Sequence, residues 1–373
     1  MGEQSGILES VVMDTYRDSK VFITGHTGIK GSWLLTMLLM LGANVVGYSN
    51  KTLFHYDALV GSSSLRENQN YKHIIGDILD ENKLNDEINK YNPDIIFHLA
   101  AQPIVSDGYE YPFDTFKTNV IGTLNVLEVC RNSATRRIIC ATTDKVYFNK
   151  EWLRGYREDD ILWGSDPYSA SKVCAEQIID SYRQSYFSEN NVLVASVRAG
   201  NVIGGGEQGK DRIVTDIMKA YNDSSVLVLR CPTAKRPFQH VLDCNFGYLS
   251  LGVELLRGRS EFSGNWNFCA GSSISVEALV KEVNKHIPVR YIVQEEEMKE
   301  TVTLCLDGTK SIEKLGHRPL YSIEESVEKT CLWFREYYEN NKVITVGQVE
   351  DYYEKVMANK KQHIGVSERL LYG

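Results

Sequence analysis

Short runs of apolar and β-branched residues recur through the first half of the chain, and most are separated by stretches whose apolar positions repeat at helical spacing. These runs predict strands over Lys20–Thr24, Asn44–Tyr48, His73–Ile75, Asp94–Leu99, Arg137–Thr142 and Asn191–Val197. The first passes through Gly25-His26-Thr27-Gly28-Ile29-Lys30-Gly31 into a helical stretch ending at Leu41. Strands and helices in alternation imply right-handed crossovers, so the expected fold is α/β, a doubly wound parallel sheet with helices on both faces.

Beyond Asn201 the alternation gives way to short strands mixed with helices such as Val276–Lys285 and Ile323–Tyr338. At 373 residues, two lobes sharing a cleft are expected: residues 1–200, with a segment near 240–260 returning to them, and a smaller mixed α/β substrate lobe over 201–373. Residues 1–19 and 345–373 carry charged, helix-permissive sequence without a motif and are expected to cap the lobes or contact another copy.

Composition narrows the function. Apolar residues make up 43% and charged residues 24%, which is ordinary for a globular protein, and a net charge of −8 argues against nucleic-acid binding. Eight cysteines stand singly in apolar runs, without a CxxC pair or zinc-ligand spacing, so they read as reduced core residues and no metal is expected. The start, Met-Gly-Glu-Gln-Ser-Gly, lacks the basic and apolar regions of a secretory signal and has its serine at the wrong offset for lipidation. The strongest apolar run, Trp33–Leu41, is too short to span a bilayer. A cytoplasmic protein without a membrane segment is expected.

Gly25, Gly28 and Gly31 between a strand and a helix suit a tight turn, close approach to a diphosphate and close helix packing, with the helix N-terminus facing the anion. A purely structural turn is the alternative. The second strand ends Gly47-Tyr48-Ser49-Asn50-Lys51, without the acidic residue that commonly holds an NAD ribose, so NAD over NADP rests on weaker ground than dinucleotide binding itself. Asp77 after the third strand could reach the adenine, and Leu99, Ala100 and Ala101 after the fourth offer small side chains to the dinucleotide.

Tyr168 and Lys172 lie one turn apart on a helix, where a cation beside a phenol favours the phenolate needed of a general base. Thr143-Asp144-Lys145 ends the fifth strand, at the edge where open α/β sheets bind ligands. Eliminating water next to a ketone needs such an acid and base; a surface ion pair between Asp144 and Lys145 is the structural alternative. Asn201, Lys210, Arg212 and Arg236 are candidate grips for an anionic substrate, because a diphosphate calls for amide and guanidinium donors. Structural pairing is the alternative for Lys210 and Arg212, and His240 reads as core or as support behind the site.

Together these segments resemble the extended short-chain dehydrogenase/reductases, and within them the CDP-glucose 4,6-dehydratases. The likeness covers Val21 to Gly28, His98-Leu99-Ala100-Ala101-Gln102-Pro103, Thr118 to Thr123, Thr143-Asp144-Lys145, Asp166-Pro167-Tyr168-Ser169, Arg198 to Gly206 and Arg236 to Val241. Lysine at 145 and the run Gly204 to Arg212 are similar to the CDP-glucose branch; Ser106-Asp107-Gly108 and Trp163 depart from it. The resemblance implies a Rossmann-type sheet, NAD as cofactor, and Thr27, Ile29, Lys30, Ile78 and Asn119 as further cofactor contacts, with Gln102 at the substrate. It further implies C4 oxidation with Tyr168 as base, Thr143 holding the reacting oxygen and Lys172 holding the ribose. Lys145 would then take the C5 proton and Asp144 protonate the C6 hydroxyl. A homodimer through Thr118–Arg131 and Tyr168–Phe187 is also implied. A nucleotide-sugar 4-epimerase and a non-catalytic NAD-sensing protein are the rival readings.

Overall fold

The computed structural model describes residues 11–371 apart from 62–64, 66, 153, 272 and 295–302. The first ten residues, on which the targeting expectations rest, lie outside the described residues. Val21, Phe22 and Ile23 are all fully buried, so the strand β1 (Lys20–Thr24) is covered on both faces, as a run without polar alternation requires. Six more strands join it: β2 (Asn44–Ser49), β3 (Tyr71–Ile75), β4 (Ile95–His98), β5 (Arg137–Ala141), β6 (Leu193–Ala199) and β7 (Gly264–Phe268). They run parallel in the order β7-β6-β5-β4-β1-β2-β3, with Val21 opposite both Val45 and Ile95. The double-wound expectation holds.

Successive strand residues feed two separate cores. Val21, Ile23 and Val45 face α1 (Ile29–Met40) through Trp33, Leu34 and Met37, whereas Phe22, Val46 and Ile96 face α2 (Glu81–Tyr91) and α3 (Gly122–Asn132) through Leu84, Ile88, Val126 and Leu127. Ile179 of α4 (Pro167–Tyr182) joins the second core. Strand β6 begins two residues later than its apolar run because Asn191 sits at φ +53°, in a turn, and it continues through Arg198, whose charge is met inside the protein.

The segment after Asn201 does not build a separate core. A buried helix, α5 (Val241–Leu256), lies on the face that carries Trp33, and the chain then returns as β7 beside β6. Short pairs (Val202–Ile203 with Gln239–His240, and Lys235–Arg236 with Ile274–Ser275) form outside the main sheet. The helices α6 (Ile323–Asn340) and α7 (Thr345–Leu371) add Trp333, Phe334, Tyr352 and Val356 to the first core. Tyr353 of α7 donates to the Met37 carbonyl at 3.0 Å, so the motif-free C-terminal stretch is pinned to α1. All eight cysteines are free, but the core expectation fails for three: Cys174 is exposed, and Cys231 and Cys305 are half-buried. Cys174 falls on the outward side of α4, whose inward side carries Tyr168, Ser171, Lys172 and Ala175.

Candidate active site

Order reversal in the sheet occurs between β1 and β4, which opens a crevice past their carboxyl ends. Gly25 takes φ +76°, and a Cβ on it would stand 2.5 Å from the Ala100 nitrogen; on Gly31 it would stand 2.3 Å from the Gly25 carbonyl oxygen. Gly28 is different: its added Cβ would meet only the Gly25 oxygen, at 3.4 Å. Two glycines therefore serve the protein's own packing, while the third leaves open space. Gly28 is also the N-cap of α1 and has no side chain capping that helix. Open space at free first-turn N–H groups suits a diphosphate.

The other residues of the turn divide their work. Thr27 is buried and donates to the Lys51 carbonyl at 2.8 Å, tying the turn to the end of β2. Ile29 is half-buried. Lys30 reaches away from the turn, with Nζ 3.3 Å from the Tyr248 hydroxyl, and bears electrostatically on Asp144 and Lys172. Asp77 accepts from the Leu79 amide at 2.9 Å and from Asn50 at 3.3 Å, and Ile78 packs into the space Gly122 leaves. Asn119, buried, exchanges hydrogen bonds with the Gln102 backbone and donates to Ser171 at 2.9 Å, linking Leu99-Ala100-Ala101 to α4. Gln102 itself donates to the Ile104 carbonyl and to Thr115, at 3.0 and 2.7 Å, so its amide shapes its own loop.

β5 ends at Ala141, and Thr143 caps the turn that follows by accepting from the Lys145 amide at 3.3 Å. Thr143 also donates to Asp144 at 3.1 Å and shares a hydrogen bond with the Tyr168 phenol. Asp144 is 3% exposed, and its second oxygen has no hydrogen-bond partner among the described residues. Burial raises its pKa; Lys145, Thr143, Arg236 and Lys30 oppose that shift without reversing it. Lys145 is half-buried beside it.

Asp166 caps α4 by accepting from the Ser169 amide at 3.0 Å, and Pro167 occupies the first turn, which sets Tyr168 at the cleft. Burial raises the Tyr168 pKa, and the opposing pulls come from Thr143 and Arg212. The expected pull of Lys172 is not what moves the phenol; Lys172 donates to the Ala141 carbonyl at 3.1 Å, and its own pKa is lowered to about 8, mainly by burial.

Across the cleft, Arg236 is buried, donates to the Lys235 carbonyl at 2.9 Å and bears on Asp144. Asn201 gives its carbonyl to Gln239 at 3.0 Å. Lys210 is engaged by Asp107 at 3.3 Å and Glu110 at 3.8 Å, and Arg212 donates to the Pro103 carbonyl at 3.3 Å. Ser106 hydrogen-bonds Asp211. The unexpected Ser106-Asp107-Gly108 segment thus clasps the 210–212 loop. Trp163 is exposed, because its neighbour Gly164 takes the inward place, where a Cβ would stand 2.1 Å from the Ala170 nitrogen. Near Arg236 a cavity of about 290 Å³ is lined by Gly155, Lys235, Pro237, Ser273, Thr303 and Cys305.

Sequence reasoning missed Glu176 and Arg198, a fully buried ion pair behind the site. Their signal was present: one acid in an apolar helix face, one base in an apolar strand, each unpayable alone. His240 is fully buried and caps α5 through the Leu242 amide, at 3.2 Å. Among the described residues no cluster of His, Cys, Asp or Glu could hold a metal ion, and no helix is long and apolar enough to cross a membrane.

The chain is similar over 334 residues to the CDP-glucose 4,6-dehydratase of Salmonella typhimurium, at 36% identity, covering 86% of this chain and 91% of that one. The human dTDP-D-glucose 4,6-dehydratase is 27% identical over 86% of this chain and 91% of its own length. Among solved structures, an epimerase from Methanothermobacter thermautotrophicus superposes with a TM-score of 0.77 over 90% of this chain and 97% of its own, at 22% identity, a likeness of fold. Residues 22–330 match the family model described as GDP-mannose 4,6 dehydratase, and with that match and the Salmonella relative the chain belongs to the GDP-mannose 4,6 dehydratase family.

Proposed function

We propose that the chain is an NAD-dependent nucleotide-sugar 4,6-dehydratase, converting CDP-glucose to CDP-4-keto-6-deoxyglucose with loss of water. Asp144 carries the reading: a buried carboxyl with a raised pKa and an unpartnered oxygen, beside Thr143 and Lys145. A carboxyl whose pKa is raised by burial keeps its proton to higher pH than an exposed one, which suits it to give that proton as an acid. A 4-epimerase, which only removes and returns hydrogen at C4, has no task for it. CDP-glucose is chosen over other nucleotide sugars because the Salmonella relative bears that name and Lys145 stands where the resemblance places the CDP-glucose branch.

The space at Gly28 and the uncapped start of α1 fit the diphosphate of NAD, with Asp77 and Ile78 toward its adenosine and Lys172 toward its nicotinamide ribose. Bound there, NAD would supply the reversible hydride chemistry that the reaction needs at C4 and C6. Tyr168 removes the proton of the C4 hydroxyl, with Thr143 hydrogen-bonded to the same oxygen. Lys145 then takes the C5 proton, made acidic by the new ketone. Asp144 protonates the C6 hydroxyl as its C–O bond breaks, and water leaves. A proton returned to C5 by Lys145 completes the product. Arg236 and Asn201 grip the diphosphate, Arg212 and Lys210 join when the 106–110 clasp yields them, and the cavity beside Lys235 takes the base.

Incubating the purified protein separately with CDP-glucose, GDP-mannose, dTDP-glucose and UDP-glucose tests this. Loss of one water from CDP-glucose alone is the expected result. Loss from a different nucleotide sugar would keep the reaction and change the substrate, while isomerisation without mass change would install the epimerase instead.

We infer further that two copies pair through α3 and α4. Phe113, Phe116, Ile121 and Tyr186, exposed near those helices, supply apolar area for the contact. A cytoplasmic setting is consistent with eight unpaired thiols.

A further inference from the structure

Glu176 lies one turn beyond Lys172 on α4 and is fully buried. Its carboxylate is crowded with donors: Arg198 Nε at 2.8 Å and Nη2 at 3.0 Å, Ser196 at 2.7 Å, and the hydroxyl of Thr142. Arg198, also fully buried, extends the network by donating to the Tyr147 hydroxyl at 2.9 Å and the Glu158 carbonyl at 3.1 Å, and Tyr147 in turn donates to Asn267 of β7 at 2.7 Å. One carboxylate therefore touches the helix that bears Tyr168 and Lys172 and also the residue immediately before Thr143-Asp144-Lys145. A buried ion pair adds little stability over a well-packed apolar pair, so fold stability alone does not explain this one. What it does supply is a fixed distance between two separately built halves of the site.

We propose that Glu176, held by Arg198, is a positioning residue that sets Thr143, Asp144 and Lys145 against Tyr168 and Lys172 and keeps a negative charge beneath Lys172. The proposal rests on the dehydratase reading above. The groups facing Lys172 are Cys140 on β5, Lys30 from the glycine turn, His98 on β4 and Glu176 on its own helix. Glu176 favours the lysine's cation and Lys30 opposes it, so neutralising Glu176 shifts the balance toward neutral lysine. Burial alone would raise the Glu176 pKa, but Arg198 and the donors around it hold the carboxyl below its usual range, ionised.

The test compares the full-length wild type with Glu176→Gln, Thr142→Val and the double variant Glu176→Gln/Arg198→Met, measuring kcat and KM with CDP-glucose across pH, together with melting temperature. In Glu176→Gln, kcat is expected to fall roughly 10- to 100-fold with KM changed less than about 2-fold, the pattern of lost geometry at the reacting centre. The alkaline limb of its C4 oxidation, followed in single turnovers apart from water elimination, moves to lower pH as Lys172 loses its proton more readily. Thr142→Val lowers kcat in the same direction but leaves that limb in place, because the charge remains. The double variant, free of an orphaned buried charge, recovers melting temperature without recovering kcat. A folded double variant with wild-type kcat and pH profile would reduce Glu176 to a structural role while the dehydratase reading stands. A wild type that turns over no nucleotide sugar would overturn both.

Discussion

At the level of single residues, the site combines groups whose environments push them toward opposite duties. Asp144→Asn is expected to retain transient C4 oxidation and to lose water elimination by roughly 10²- to 10⁴-fold, the span of a general acid, checked by single-turnover detection of the 4-ketone against product mass. Lys145→Ala gives the same split, whereas Tyr168→Phe blocks both steps; equal loss of the first oxidation in all three would sink this division of labour. The sign of the pH effect follows from burial. Because the folded protein raises the Asp144 pKa, the carboxyl stays protonated to a higher pH than an ordinary aspartate, and elimination fails on the alkaline side as that pKa is passed. Residue types and spacings singled out Thr143, Asp144, Lys145, Tyr168 and Lys172, and the fold brings Thr143 into hydrogen-bond contact with both Asp144 and Tyr168. They could not tell that Thr143, rather than Lys172, offsets burial at the Tyr168 phenol, since that depends on where a lysine terminus comes to rest. Nor could they show that the Gln102 amide is spent on Ile104 and Thr115.

Elements were more legible than side chains, because β1, β2, β4, β5 and β6 are buried on both faces and leave largely apolar runs, whereas the edge strand β3, with Lys72 and Ile75 exposed, leaves a weaker one. Their ends were not. Asn191 looked like part of a strand but adopts a left-handed conformation, and Arg198 extends β6 only because Glu176 waits on α4. The glycine turn yields a test at this scale. Gly28→Ala is expected to fold with nearly unchanged melting temperature and to weaken NAD binding, measured by calorimetric titration, since its methyl group enters the space left for a diphosphate. Gly25→Ala is expected to melt at lower temperature, because its Cβ would collide with Leu99 and Ala100 and φ +76° disfavours any side chain. Intact NAD affinity in Gly28→Ala would remove the diphosphate from that position.

For the molecule as a whole, the C-terminal helices are joined to the buried helix α5 through its Asp243, which accepts from the Leu320 amide at 2.7 Å, the Tyr352 hydroxyl at 2.9 Å and the Tyr321 amide at 3.2 Å. Burial lifts its pKa from 3.8 to about 6. The folded state therefore binds a proton in a pH range where the unfolded chain does not, and this group's contribution falls as pH rises from about 4 through about 6. Melting curves across that range are expected to lose part of their pH dependence in Asp243→Asn, and an unchanged slope would refute the assignment. A second whole-molecule expectation is a dimer in sedimentation at micromolar concentration; a monomer would refute the pairing of α3 and α4. Last, β7 follows β6 by more than sixty residues yet pairs directly with it, Gly264 beside Ala195 and Phe268 beside Ala199. During synthesis, then, β6 leaves the ribosome with an open backbone edge and must wait for a late-arriving partner. Nascent chains halted before residue 264 are the ones expected to stick to one another or to call on chaperones.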